Sequence, residues 1–127
     1  MNISAYLENS AGKYPEKEAV RHEGRAITFE QLDTDSSRMA EGLKGLGIVP
    51  GDSIVVMMPN SITYVTLYYA VAKLGAVVVP VNFLYKKQEL THIFSDAKPV
   101  AFVGASPYLE EARKLFADIT DPPLIRL

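Results

Sequence analysis

Several short stretches carry the residue types that acyl, phosphate or calcium chemistry would need. GASPY, residues 104–108, follows an apolar run and precedes a helix-forming stretch. That is the setting of the G-x-S-x-G elbow, in which a serine is activated by a histidine further along the chain. Tyr108 replaces the last glycine, and neither His22 nor His92 comes after Ser106. Ser106 is therefore read as a helix cap, with Pro107 in the first turn and Glu110 and Glu111 near the positive end of the helix dipole. AGKY, residues 11–14, has the lysine of a phosphate loop, but Leu7 stands where the first glycine belongs and Tyr14 where the hydroxyl residue belongs. Asp33-Thr34-Asp35-Ser36-Ser37 begins as a calcium loop does, then offers Arg38 in place of the turning glycine and Lys44 in place of the closing glutamate. A solvated helix face explains it better. His22 and His92 are isolated from any carboxylate pattern that would make a metal site. No catalytic residue and no metal ligand is assigned.

Two asparagines survive this test. The apolar run ending at Met58 stops on Pro59-Asn60-Ser61, and the run Val77-Val78-Val79 stops on Pro80-Val81-Asn82. If both runs are strands of one parallel sheet, Asn60 and Asn82 fall at its carboxyl edge, where ligands usually bind. They are the binding candidates. An asparagine that bonds its own turn or caps the next helix would look the same in sequence.

The elements that must hold these residues can be read from spacing. Ile3, Leu7, Ala11 and Tyr14 recur at helical spacing up to Pro15. Residues 18–21 and 26–28 flank a turn at Glu23-Gly24-Arg25 and read as a hairpin. Thr28 and Gln31 have the spacing of a capping box, and Leu32, Met39, Leu43 and Leu46 would line one face of the helix that follows, with Gly45 and Gly47 at its end. Residues 54–58 and 77–81 read as strands apolar on both faces, hence buried. Between them residues 61–74 form a largely apolar helix, on which Tyr64, Tyr68 and Tyr69 read as packing. A further helix over 86–97 would bury Leu90, Ile93, Phe94 and Ala97, followed by a strand over 100–103 and a helix to about Ala117. Strand and helix alternating in this way predict an α/β fold: three layers, a mainly parallel sheet flanked by helices, and a small N-terminal hairpin.

The bulk composition narrows the partners. Thirteen basic residues face fifteen acidic ones without a long run of either sign, so nucleic acid is not expected as a partner. The absence of cysteine excludes disulfides and thiol chemistry and suits a reducing cytoplasm. From Ser53 to Ala72 no residue is charged, but Pro59, Asn60 and Ser61 interrupt the stretch, so no membrane span is expected.

Taken in order, AYLENSAGKYPEKEAV, then ITFEQLDTDSSRMAEGLKGLGIVPGDSIVVMMPNS, then AVAKLGAVVVPVNFLYKKQELTHIFSDAKP resemble the N-terminal portion of the acyl-CoA synthetase and adenylate-forming enzyme superfamily. The resemblance covers essentially the whole chain. It implies that residues 1–127 are one N-terminal fragment of the AMP-binding domain, with no internal boundary. It also implies a parent enzyme that activates a carboxylic acid with ATP and magnesium to an acyl-adenylate, then transfers the acyl group to coenzyme A. Fatty acid CoA ligases of long-chain type are most similar, while aryl-CoA ligases, luciferases and peptide-synthetase adenylation domains share most of the pattern. The family's phosphate loop, T-S-G-T-T-G-x-P-K, would follow Leu127, so the fragment is expected to hold no cofactor and to be inactive by itself. Apolar surface left for the missing part to cover would favour a homodimer. Two other readings stay open: a free-standing α/β binding or assembly module, and a small flavodoxin-like nucleotide-binding domain.

Overall fold

The computed structural model describes residues 2–81, 87–104 and 124–126. The chain divides into two compact units, one of residues Met1–Pro50 and Asn60–Ala76, the other of Gly51–Pro59 and Val77–Leu127.

The first unit is helical, with a small hairpin. Helix α1 spans Ser4–Lys13, strands β1 and β2 span Glu18–His22 and Arg25–Thr28, and helices α2 and α3 span Phe29–Gly45 and Ile62–Leu74. The hairpin closes more tightly than its sequence suggests, with Arg25 already paired to His22. Only Glu23 and Gly24 remain in the loop, at φ 52° and 77°. A two-residue turn with both φ values positive matches the twist of the strands, and glycine takes the second position without a steric penalty. Helix α2 starts with the expected capping box: Gln31 N–H donates to the Thr28 hydroxyl at 3.1 Å, and Thr28 N–H donates to the Gln31 side-chain carbonyl at 2.8 Å. Its inward face is Leu32, Ser36, Ala40 and Leu43. Leu46, expected on that face, is 56% exposed, because the helix has ended at Gly45 and Leu46 is its C-cap. Ile3 and Tyr14 are likewise exposed, one at each end of α1, and Leu7 packs that helix into a cluster with Ile27, Leu32 and Ile62.

The second unit is a four-stranded sheet of β3 (Ser53–Met57), β4 (Val77–Pro80), β5 (Ala101–Gly104) and β6 (Leu124–Arg126), in the order β4-β3-β5-β6 and parallel throughout. The last of these, β6, is a short strand of three residues that begins at Leu124. Ile54, Val55 and Val56 of β3 and Ala101, Phe102 and Val103 of β5 are fully buried, as central strands require. Helix α4 (Lys87–Ala97) lays Leu90 and Phe94 against Val55, Met57 and Phe102, with the Phe94 and Phe102 rings edge to face at 6.3 Å.

Strand β4 departs from expectation. Its triple valine reads as a buried strand, but β4 is the outermost of the described strands on its side, and Val77 is 50% exposed. The reason is pairing: β4 bonds only β3 among the described strands, through Val77 N–H to the Asp52 carbonyl at 2.7 Å and Val81 N–H to the Val56 carbonyl at 2.9 Å. Residues 77, 79 and 81 thus turn their N–H groups towards β3, while Pro80 lies at an outward position where a missing donor costs the ladder nothing. Among the described residues, no helix is long and apolar enough to cross a membrane. The helix expected to reach Ala117, with its start at Ser106-Pro107, lies outside the described residues.

Candidate functional site

The carboxyl end of β3 shows what stops an apolar strand here. Met57 and Met58 are buried, and the chain emerges at Pro59 and Asn60, both exposed. The next residue, Ser61, takes up extended backbone, and its hydroxyl accepts the N–H of Tyr64 at 3.0 Å. The cap of α3 is therefore Ser61, and Asn60 forms the bend before it. This corrects the expectation that asparagine could fill that role: with serine one residue closer to the helix, the shorter side chain satisfies the free donor. Asn82, the second binding candidate, lies outside the described residues.

On the neighbouring strand, Gly104 pairs with Met57. A Cβ built on Gly104 would stand 2.7 Å from the Met57 carbonyl oxygen and 3.1 Å from the Phe102 ring. The glycine is there because the backbone passes too close for any side chain, which accounts for the first residue of GASPY without invoking a nucleophile.

The helical unit contains a polar cluster that spacing did not disclose. Lys73, near the end of α3, has a side chain only 11% exposed, and its ammonium donates to Asp33 of α2 at 2.6 Å and to Glu8 of α1 at 3.4 Å. Asp33, read from sequence as part of a solvated face, is thus one arm of an ion-pair network joining three helices. The two acids, Asp33 and Glu8, lie 40 and 65 residues from Lys73 along the chain, separations no local pattern signals. Ser36, fully buried, donates its hydroxyl to the Asp33 carbonyl at 3.1 Å.

Two depressions mark the same unit. A groove of about 380 Å³ runs beside Ala40, Lys44, Ile48, Val49 and Leu74. A smaller one, about 220 Å³, is bordered by Arg25, Asp35, Met39 and Thr63. Tyr64 has its phenol pushed up by burial and then by the neighbouring Tyr68. Tyr68 and Tyr69 meet edge to face at 6.2 Å, and Tyr69 packs against the core while Tyr68 remains exposed. His92 pairs with Asp96 on the surface of α4 at 3.3 Å. Among the described residues no three carboxylates or histidines gather as a metal site, so no residue here is assigned to the magnesium that the resemblance implies.

Comparison with known proteins gives this scaffold its context. The model of the AMP-binding enzyme family matches residues 7–124. The chain is 37% identical over 110 residues to a long-chain-fatty-acid–CoA ligase of Yersinia pestis, covering 86% of this chain and 20% of that protein. It is 34% identical over 103 residues to a feruloyl-CoA synthase of an Amycolatopsis species, covering 81% of this chain and 21% of that protein. A fatty acyl CoA synthetase of Mycobacterium tuberculosis superposes with a TM-score of 0.89 at 29% identity, over 99% of this chain and 26% of that one. The chain thus spans about a fifth of the length of the curated relatives it matches. An unbroken family match from the first helix to the last strand, over a parallel sheet with the same layout, makes the chain a member of the AMP-binding enzyme family.

Proposed function

We propose that this chain is the opening part of the adenylating domain of a long-chain fatty acid CoA ligase. In such an enzyme a carboxylate oxygen attacks the α-phosphorus of ATP and pyrophosphate leaves. The thiol of coenzyme A then attacks the acyl carbon, and AMP leaves. The family match over residues 7–124 carries the reading, and the recurrence of long-chain fatty acid CoA ligases among the relatives supports that substrate class. The chain's part in the reaction is structural: β3 and β5 supply an apolar floor, and Asn60 and Asn82 are the residues we assign to polar contact with the ligand. Charge stabilisation and phosphate binding fall to polypeptide that follows in the relatives. A cytoplasmic setting fits both the substrates and the absence of cysteine.

The test is acid-dependent exchange of pyrophosphate into ATP. It would be measured with the protein encoded by the full reading frame and with residues 1–127 alone, across fatty acids of increasing length and a set of aromatic acids. Exchange by the full protein that peaks with long-chain acids, and none by the 127-residue chain, is the expected result. Turnover by the short chain would overturn the structural role, and a preference for aromatic acids would overturn the substrate class.

A further inference from the structure

We draw no further inference here: the strongest candidate, the groove beside the C-terminal half of α2 and the end of α3 that is lined by Ala40, Glu41, Lys44, Ile48, Lys73 and Leu74, is a surface depression, and nothing in the structure shows what covers it.

Discussion

Ser36 in the helical unit and Val55 in the sheet are equally shut off from water, yet they are held there by different means. Ser36 needs the Asp33 carbonyl to accept its hydroxyl, and a few residues away the Asp33 carboxylate needs Lys73. Val55 needs only volume, supplied by Met57, Leu90, Phe94 and Phe102. The contrast is general: the buried polar side chains among the described residues, Ser4, Ser36 and Thr66, all belong to the helical unit. Buried polar groups demand directional partners, whereas an apolar sheet demands filling without voids. One unit should therefore be sensitive to the loss of a particular pairing, and the other to any change of size.

Substitutions in the sheet should show the largest effects. Phe94→Ala removes a ring that is almost fully buried and leaves Phe102 facing a cavity, at a cost of about 3–5 kcal/mol. Chemical denaturation of the 127-residue chain measures this, and a loss under about 1 kcal/mol would mean that packing does not hold the unit. Adding a single methyl group should hurt as well. Gly104→Ala forces a Cβ onto the Met57 carbonyl and should cost about 1–3 kcal/mol by the same measurement. An unchanged midpoint would show that β3 and β5 can move apart without penalty.

The helical unit should respond more mildly and more selectively. Asp33→Asn weakens the short bond to Lys73, and because Asp33 is partly exposed the expected loss is about 1 kcal/mol, shrinking with added salt. Glu8→Gln, at the longer and more exposed contact, should cost less than about 0.5 kcal/mol. Equal losses for the two acids would break the ranking, and a loss from Asp33→Asn as large as that from Phe94→Ala would break the comparison itself.

The smallest effect belongs to Glu18, on the surface of the hairpin. A hydrogen bond from Arg21, at 2.6 Å, holds its carboxyl below the usual carboxylate range, and the guanidinium charge acts in the same direction. A depressed folded value means that the pair contributes above the unfolded carboxylate range and loses that contribution as pH falls through the folded one. Titration of Glu18 by NMR should show the depression, and Arg21→Ala should remove it. A Glu18 titration that Arg21→Ala leaves unchanged would show that the contact does not persist in solution.

Local patterns in the sequence disclosed local structure well. The capping box at Thr28 and Gln31, the order of the elements and the inward face of α4 all follow from spacing within a few residues. What escaped was set by distant parts of the chain. Nothing in three consecutive valines says whether a strand will have neighbours on both sides, so β4 read as buried. Lys73 and its two acids look like separate surface charges until α1, α2 and α3 pack together. Gly104 looked like a fragment of a serine motif because the carbonyl that excludes its side chain lies on another strand, at Met57. At the end of β3 the sequence disclosed the stop at Pro59 but not which side chain caps the next helix, because Asn60 and Ser61 are both good caps and only the backbone decides for Ser61.

Pro80 has a consequence for how the chain behaves in company. A polypeptide laid along the side of β4 that no described strand pairs with would meet Val78 and then Pro80 at successive outward positions, and proline has no N–H to offer. The ladder would lose a rung within its first few residues, so a sheet growing from molecule to molecule would stall at the place where its apolar character most invites it. The proline that ends the strand also makes it a poor template for its own kind.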